Sequence, residues 1–390
     1  MIQVEEALSI IENNSFVNFA KKISVSKSLH YVLAEDVFSP IDMPPFRQSA
    51  MDGYAFLHSE LNNFEVVGII QAGDFNNSDI KKNQAIRIFT GAPIPDCVDT
   101  VVMQEHTEWN DDKLEITKMP VQFANVRPQG EQIKVGELAL PKNSLITPAS
   151  IGFLIGLGIT EVFVFAKPKI AIVVTGNELV KAGQDLPLGK IFESNSTMLK
   201  SALIQVGIEK VKILRVEDDF EKTKKVLKKC IYKFDMVLVS GGISVGDYDY
   251  VKEALLSNDV EELFYKINQK PGKPLFFGKT NKTLIFALPG NPASSLTCFY
   301  VYVLPALKKM LGLELVHIPK IKRKINVDFQ NTTGKSLFLK GFYSDENVEV
   351  LESQSSAMLN TFAIANGFVF IPYDCSIIKK NQEVIVLPFK

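Results

Sequence analysis

One turn motif, at residues 288–294, constrains the fold more than any other feature of the sequence. It reads Leu-Pro-Gly-Asn-Pro-Ala-Ser, follows an apolar run that predicts a buried strand, and precedes an apolar segment that predicts a helix. Asn291 suits a helix N-cap, and Pro292 suits the first helical position. A helix that starts at the carboxyl end of a strand has free N–H groups there, so the motif favours anion binding.

Strand and helix patterns alternate from residue 169 to residue 313. The predicted strands are 170–174, 212–216, 236–240 and 284–288, and the predicted helices are 196–206, 220–231, 250–256 and 294–311. This alternation is typical of a doubly wound parallel sheet covered by helices. Ligands of such sheets bind beyond the carboxyl ends of the strands, where the turn motif also lies.

The rest of the 390-residue chain predicts three further domains. Residues 1–40 plus 141–168 predict a discontinuous helical linker domain. Residues 41–140, which contain many short strands and turns, predict a β-rich second domain, and residues 317–390 predict a small C-terminal β-barrel-like domain. With the central α/β domain at 169–316, the predicted fold class is α/β multidomain.

Charge and cysteine usage narrow the class of protein. The formal net charge is -1 and no polybasic tail is present, which does not favour nucleic acid or a membrane surface as a partner. Four widely spaced cysteines and the lack of a signal-peptide pattern predict a cytoplasmic protein. The most apolar stretch, 151–165, is shorter than the ~20 residues that cross a bilayer, and it predicts a buried helix followed by a strand.

Glycine-containing loops follow three of the predicted strands at one edge of the sheet. Their candidate ligand-binding residues are Gly176, Gly241, Gly242, Ser244, Gly246, Pro289, Gly290, Asn291 and Pro292. Glycine lets backbone N–H groups approach a phosphate without hindrance from a Cβ atom. Each loop alone is more readily an ordinary turn between strand and helix, but three at one edge favour a phosphate or nucleotide pocket.

Four carboxylates, those of Glu178, Asp218, Asp247 and Asp249, are predicted at the same edge. Because carboxylates that face phosphates need a counter-ion, the arrangement predicts Mg²⁺ bridging substrate phosphates. Any one of these acids could instead cap a helix, and Asp247 is the one most readily explained in that way.

Lys266 and the Lys-Pro-Gly-Lys-Pro segment at 270–274 are the cationic complement. Lys270 and Lys273 lie on a backbone that two prolines and a glycine restrict, so they can act as fixed point charges for a phosphate or another oxyanion. The alternative is a solvated turn, although prolines on both sides of Gly272-Lys273 make a merely flexible loop the weaker interpretation.

The N-terminal half has motifs of its own. Asp52 lies in the segment 43–55, and Thr90 lies beside the Gly-Ala-Pro turn of the segment 89–95. From spacing alone these could be surface turns.

The chain has no GxxxxGK[ST] motif and no GxGxxG motif after a strand, and its four histidines lie outside every motif. This disfavours a P-loop NTPase, simple dinucleotide binding, a Ser-His-Asp triad and a His-ligated metal.

Together the motifs resemble the molybdopterin molybdenumtransferase family, known as MoeA in bacteria and as the E domain of gephyrin-type proteins in eukaryotes. The matching segments, in family order, are PPFRQSAMDGYA at 44–55, FTGAPIP at 89–95, RPQGE at 127–131, TGNEL at 175–179, SGGISVGDYD at 240–249, KPGKP at 270–274 and LPGNP at 288–292. The set covers nearly the whole chain and is specific to the family, whereas no single motif is.

The resemblance implies an activity and an assembly. It implies insertion of molybdate into adenylylated molybdopterin with release of AMP, in a Mg²⁺-dependent step. It also implies an elongated homodimer of four-domain subunits, with each site between the α/β domain of one subunit and the β-rich domain of the other. The molybdopterin adenylyltransferase that supplies the substrate is an implied partner.

The resemblance also assigns residues to family active-site positions. They are Asp52, Thr90, Glu178, Asp218, Asp249, Lys266, Lys270, Lys273, Pro289, Pro292 and Ser355 or Ser356. As a hypothesis, Gly241, Gly242, Ser244 and the Asn291 turn hold the pterin and the phosphates. Glu178 and Asp249 then help to hold Mg²⁺. The molybdate ion would contact Lys270, Lys273, Ser355 and Ser356. Gly176, Asn195, Gly246 and Gly290 complete the predicted substrate-binding set.

Three other functions are open at this stage. A molybdate store or sensor would keep Lys270 and Lys273 but would not require an adenylate pocket. A molybdopterin adenylyltransferase shares the TGNEL and SGGISVGD motifs, but the simpler members of that family lack the SAMDGYA region and the C-terminal β domain. A gephyrin-like scaffold would bind receptor peptides, and no peptide groove is identifiable from the sequence.

Overall fold

A six-stranded mixed sheet forms the centre of the protein. The computed structural model describes residues 1–74, 79–243 and 250–389. In spatial order the strands are Val211–Val216, Ile170–Thr175, Met236–Ser240, Leu284–Leu288, Phe276–Lys279 and Glu261–Tyr265. The first four are parallel, which confirms the predicted doubly wound core.

The last two strands were not predicted, and both run antiparallel to their neighbours. The direction of strand Phe276–Lys279 follows from the short connection between Lys279 and Leu284, where the Thr280 N–H donates to the carbonyl of Thr283 at 2.9 Å. A turn of this length joins antiparallel strands, because a parallel crossover needs a dozen or more residues. The sheet is therefore parallel only on the side that carries the predicted loops.

The chain changes direction across the sheet at strand Ile170–Thr175. This strand pairs with Val211–Val216 on one side and with Met236–Ser240 on the other. Connections that leave in opposite directions open a crevice at the carboxyl end of such a strand. Thr175 marks that end, and the three glycine-containing loops converge there.

Helices cover both faces of the sheet. They are Asn195–Gln205, Phe220–Lys233, Val251–Leu256, Pro292–Cys298 and Leu304–Met310. Every residue of strands Ile170–Thr175, Met236–Ser240 and Leu284–Leu288 is buried, as expected for a sheet with two covered faces.

The helix predicted at 294–311 consists of three consecutive segments. An α-helical segment, Pro292–Cys298, leads into one π-helical turn, Phe299–Val303, and then into the α-helix Leu304–Met310. Pro305 lies just after the π turn and has no N–H for the carbonyl four residues earlier, which gives a physical reason for the irregular ladder.

The predicted β-rich domain contains a second six-stranded sheet. In spatial order its strands are Thr100–Met103, Gly53–Phe56, Gln84–Ile88, Asn63–Ile70, Lys113–Ile116 and Thr107–Asn110. Strand Gly53–Phe56 is buried along its whole length. Its pairing with Gln84–Ile88, in the register Gly53 to Ile88, brings the residues just outside both strands together.

The linker region pairs strand Ala20–Ser24 with strand Glu161–Phe165 beside the helix Pro148–Gly156. Only Leu154 of that helix is buried, so the expectation of a buried helix is wrong. Helix Val4–Asn14 packs against the hydrophobic core of the α/β region instead of the linker strands, so the division at 1–40 plus 141–168 stays a proposal. No helix in the described residues is long and apolar enough to cross a membrane.

The C-terminal strands close into a five-stranded barrel. Around the barrel they are Ser336–Tyr343, Asn347–Val350, Ile321–Ile325, Glu383–Pro388 and Gly367–Ile371, which pairs back to the first. This confirms the predicted β-barrel-like domain. The two-residue strand Gln269–Lys270, from the α/β region, pairs with Ser336–Leu337 at the barrel's side.

The remaining elements are short. They are the strands Val37–Phe38, Gln48–Ser49, Val126–Arg127, Leu138–Leu140, Leu179–Val180, Ile191–Phe192, Phe329–Gln330 and Ile377–Ile378, the helix Asn360–Ile364, and the 3₁₀ turns Val25–Lys27 and Gln104–His106.

Gly53 is predicted to be intolerant of any side chain. A Cβ atom at this position would lie 1.8 Å from the carbonyl oxygen of Val102 in the neighbouring strand. Gly53→Ala should therefore lower the free energy of unfolding of this domain by about 1–3 kcal/mol through overpacking. The midpoint of urea unfolding followed by fluorescence of Trp109, the single tryptophan of the chain and a residue of the same sheet, measures this.

Gly68→Ala is the matched control in the same sheet. A Cβ atom at Gly68 would lie 3.5 Å from Cδ1 of Ile86, an ordinary contact. This change should be neutral or stabilise by about 0.5 kcal/mol, because alanine loses less conformational freedom than glycine in a strand. Equal midpoints for the two variants would contradict the tight strand packing at Gly53.

Candidate active site

A cleft of about 660 Å³ lies at the carboxyl edge of the parallel strands. Ten of the predicted site residues line it: Gly176, Glu178, Asn195, Asp218, Gly241, Gly242, Pro289, Gly290, Asn291 and Pro292. The cleft thus brings together loops that are more than a hundred residues apart in the sequence, at the edge where the strand pattern predicted them.

Asp218 holds the first of these loops in place. One of its carboxylate oxygens accepts from the Thr175 hydroxyl at 2.5 Å, and the other accepts from the backbone N–H of Asn177 at 2.9 Å. The Asn177 side chain accepts in return from the N–H of Asp218 at 3.2 Å. Both oxygens of Asp218 are therefore engaged in fixing the turn, while the neighbouring Glu178 is exposed to solvent.

Asn195 ties two other loops together at the floor of the cleft. Its side-chain nitrogen donates to the hydroxyl of Ser240 at 2.8 Å and to the carbonyl of Gly290 at 2.7 Å. Its side-chain oxygen is buried without a hydrogen-bond partner among the described residues. Asn195 therefore aligns the ends of two parallel strands and adds a buried acceptor to the site.

Glu193 is a site residue that the sequence did not single out. Its buried carboxylate accepts from the N–H of Ser196 at 2.7 Å and from the Ser196 hydroxyl at 2.5 Å, and Arg215 lies 3.3 Å away. Glu193 lies one residue before the N-cap Ser194, and an acidic residue at the start of a predicted helix was the available signal in the sequence. This carboxylate starts the helix that carries Asn195.

Gly241 lets the second loop pass close to the first. Its φ angle is +95°, and a Cβ atom there would lie 2.7 Å from the carbonyl oxygen of Thr175. Gly242 follows with a φ of +62°. A side chain at Gly241 would push the two loops apart, so glycine sets the width of the cleft at this point.

The turn motif at residues 288–294 differs from its prediction in the hydrogen bonds at the start of the helix. Asn291 occupies the N-cap position and Pro292 begins the helix, both as expected. The Asn291 side chain, however, makes no capping hydrogen bond and instead donates to the hydroxyl of Ser356 at 3.1 Å. The N–H groups of Ala293 and Ser294 donate to the Ser356 carbonyl at 3.0 and 3.3 Å. The expectation of free N–H groups is therefore wrong for these two residues, because the C-terminal domain supplies their acceptor.

A buried lysine shapes the loop that provides this acceptor. Lys340 is 3% exposed, and its ammonium donates to the carbonyls of Ser353, Ser355 and Met358 at 2.7, 3.4 and 3.0 Å. Burial lowers the pKa of Lys340. Lys340 thus folds the loop that carries the predicted residues Ser355 and Ser356 over the start of the helix.

None of the three predicted lysines lines the cleft. Lys270 and Lys273 are exposed, and Pro274 of the same segment lines the cleft. Lys266 has a φ of +71° and places its ammonium 4.8 Å from the centre of the Tyr265 ring.

Asp52 and Thr90 form a separate polar pair in the β-rich domain. The N–H and the hydroxyl of Thr90 both donate to one carboxylate oxygen of Asp52, at 2.8 and 2.9 Å. These bonds, the backbone one first, lower the pKa of Asp52, and Arg87 adds to the effect. Neither residue lines the cleft.

The remaining predicted residues, Ser244, Gly246 and Asp249, lie outside the described residues, as does Asp247.

Three family models match consecutive parts of the chain. The MoeA N-terminal region, domains I and II, matches residues 2–158; a probable molybdopterin binding domain matches 171–309; and the MoeA C-terminal region, domain IV, matches 322–389. A molybdopterin molybdenumtransferase of Staphylococcus epidermidis is 34% identical over 95% of this chain and 91% of its own length. This chain belongs to the MoeA family.

Two further MoeA-type relatives have the same extent. A molybdopterin molybdenumtransferase of Haemophilus influenzae is 32% identical over 100% of this chain and 99% of its own. The crystal structure of a molybdopterin biosynthesis MoeA protein from Pyrococcus horikoshii OT3 superposes with a TM-score of 0.83 at 27% identity, covering 100% of both chains. The MoeA fold therefore extends over the whole chain.

Removing the Thr90 hydroxyl should raise the pKa of Asp52. In Thr90→Val the backbone N–H, the larger contributor, remains, so the pKa should rise but stay below the ordinary value of about 3.9. Because folding lowers the pKa of Asp52, its ionised carboxylate stabilises the folded protein at pH values above the unfolded-state pKa. This stabilisation is lost as the pH falls through the folded-state pKa of Asp52. An NMR titration of the Asp52 carboxyl carbon measures the shift. Thr107→Val, which removes an exposed hydroxyl bonded to the Gln104 carbonyl, is the control and should leave Asp52 unchanged.

Replacing Lys340 should loosen the loop around Ser355. Lys340→Met leaves the carbonyls of Ser353 and Met358 without their buried donor, at an expected cost of about 1–3 kcal/mol to the closed loop. Amide exchange of residues 352–358 should accelerate accordingly. Lys322→Met, on an exposed barrel strand with a surface pair to Glu383 at 3.5 Å, is the control. Equal exchange in both variants would mean that Lys340 does not hold the loop.

Proposed function

We propose that this protein is a molybdopterin molybdenumtransferase that inserts molybdate into adenylylated molybdopterin and releases AMP. The observation that carries the proposal is the convergence of three turns, at Gly176, Gly241 and Gly290, on one cleft in a chain of the MoeA family. A sheet edge of this kind offers backbone N–H groups to phosphate oxygens. The activity in the names of the relatives is the chemistry that such a cleft can support.

The proposed roles follow from what each residue contacts. The backbone at Gly241 and Gly242 approaches the phosphates and the pterin, because no Cβ atom blocks it. Asn195 and Asp218 position the loops, through the hydrogen bonds described above. Lys270 and Lys273 offer exposed ammonium groups to the molybdate oxyanion, which is a substrate. Ser355 and Ser356 complete that side of the site. Catalysis is then mainly positioning and charge neutralisation.

The proposed reaction includes Mg²⁺, and the side chains at the cleft offer a limited set of oxygen ligands for it. No cluster of three or more His, Cys, Asp or Glu side chains that could hold a metal occurs in residues 1–74, 79–243 and 250–389. Mg²⁺ commonly uses one or two carboxylates together with substrate phosphates and water, so Glu178, exposed at the cleft, is a sufficient start for such a set. Asp249 is the second proposed ligand. When bound, the ion would neutralise phosphate charge.

A homodimer with shared active sites is the proposed assembly. Asp52 and Thr90 lie outside the cleft of their own chain, so a second subunit would have to bring them to it. The helix Pro148–Gly156 supports a subunit contact, since it is strongly apolar yet buries only Leu154, and Ile155 is 48% exposed.

The adenylyltransferase that makes the substrate is a proposed partner. A cytoplasmic location is also proposed, supported by four cysteines that form no disulfide.

The wild-type protein should release AMP when it is incubated with adenylylated molybdopterin, molybdate and Mg²⁺. AMP release and molybdenum cofactor formation should rise together, because the proposed reaction couples them. A folded, dimeric sample that forms neither product would refute the proposed function. AMP release without molybdenum incorporation would favour another reaction of the adenylylated substrate.

Mixing two inactive variants tests the shared site. Asp52→Ala and Glu178→Ala should each lose most activity alone. A heterodimer of the two has one site with both changes and one intact site, so random mixing should restore about a quarter of the wild-type rate, measured as AMP release. The double variant mixed with wild type is the control, because its heterodimers contain no intact site. No recovery from the two single variants, in a sample shown to exchange subunits, would contradict a site built from two chains.

A further inference from the structure

A buried amide lies directly beneath the lysine segment at 270–274. Gln269 has no solvent exposure, and its side-chain nitrogen donates to the carbonyls of Pro271 and Gly272, both at 3.1 Å. These two carbonyls belong to the residues between Lys270 and Lys273. One side chain therefore holds the backbone that separates the two exposed ammonium groups.

Tyr302, in the irregular helix of residues 292–310, sets the orientation of the Gln269 amide. The hydroxyl of Tyr302, itself without solvent exposure, donates to the side-chain oxygen of Gln269. Burial raises the pKa of Tyr302 well above its ordinary value, so the hydroxyl stays protonated and acts as the donor. With its oxygen accepting from Tyr302, Gln269 can only direct its nitrogen towards the loop.

The π-helical turn Phe299–Val303 places the hydroxyl. Its wider winding changes the direction in which the residues of this turn project, and Tyr302 is one of them. The same helix begins at Pro292 in the cleft and carries Cys298, whose sulfur lies 3.7 Å from the Gly272 carbonyl. Gly272, with a φ of +82°, sits so close that a Cβ atom would come within 2.6 Å of that sulfur. The lysine segment thus rests on the helix that also starts at the active-site cleft.

We propose that Tyr302 and Gln269 are positioning residues that set the placement of Lys270 and Lys273 for the oxyanion substrate. The proposal rests on the proposed function where it names molybdate as that oxyanion. Tyr302 and Gln269 are fully buried, so they act through the loop backbone and do not contact substrate. Loss of the hydroxyl frees the Gln269 amide to rotate, and the two carbonyls lose their donor.

Tyr302→Phe is the test variant. Loss of one buried hydrogen bond should raise the KM for molybdate about three- to tenfold, while kcat and the KM for adenylylated molybdopterin change less than about twofold. Amide exchange of residues 269–275 should accelerate in the same variant. A general loss of stability would instead lower the active fraction and reduce the apparent kcat without this selectivity.

Tyr300→Phe is the matched control, because it removes a hydroxyl from the same π turn. The Tyr300 hydroxyl contacts Gln205 at 3.4 Å, away from the lysine segment, so both readouts should stay at wild-type values. In a Gln269→Met background, Tyr302→Phe should have no further effect on the KM for molybdate, since both changes act on one path.

When the wild type shows the proposed activity, three outcomes would overturn the inference. They are an unchanged KM for molybdate in Tyr302→Phe, an equal rise in Tyr300→Phe, and additive effects in the double variant. Failure of the proposed function is a separate result, recognised by absent AMP release in the wild type. In that case equilibrium dialysis with molybdate alone and the amide exchange decide the inference. Weaker molybdate binding and faster exchange in Tyr302→Phe would support it, and wild-type values for both would overturn it.

Discussion

The burial of one irregular helix, residues 292–310, between the central sheet and the C-terminal barrel is the interaction on which the other features depend. Phe299, Tyr302 and Leu307 of this helix have no solvent exposure. Tyr300 stacks on Phe389 with ring centres 5.1 Å apart, which joins the helix to the barrel. Because interiors are close-packed, a shift of this helix would move the cleft, the lysine segment and the barrel together.

Most polar side chains at the cleft are already used to hold the fold. Both carboxylate oxygens of Asp218 accept hydrogen bonds from the first loop, at Thr175 and Asn177. The Asn195 side chain joins the ends of two strands, and the Asn291 side chain donates to Ser356. The phosphorylated ligand proposed above would therefore be held mainly by backbone N–H groups, and the exposed carboxylate of Glu178 would need a cation between itself and a phosphate. Such preorganised groups cost little reorganisation when a charged ligand binds.

Features set by local pattern were predictable from the sequence, and features set by distant contacts were not. The buried run Met236–Ser240 and the start of the helix at Pro292 follow from local chemistry. The acceptor for the helix start is Ser356, more than sixty residues away, so no local rule could show that the N–H groups are occupied. The pairing of Asp52 with Thr90 likewise needs the register between Gly53 and Ile88, which spacing alone does not reveal. The roles of the lysines, of Ser355 and of Asp249 stay predictions.

The strand pair between Gln269–Lys270 and Ser336–Leu337 belongs to two domains at once. A cut between the matched segments that end at residue 309 and begin at residue 322 would separate its two halves. It would also remove the Ser356 acceptor from the start of the helix. The C-terminal barrel is therefore not a detachable module. In this chain each of the two domains completes hydrogen bonds that the other leaves open, so either one expressed alone would expose unpaired backbone groups to solvent.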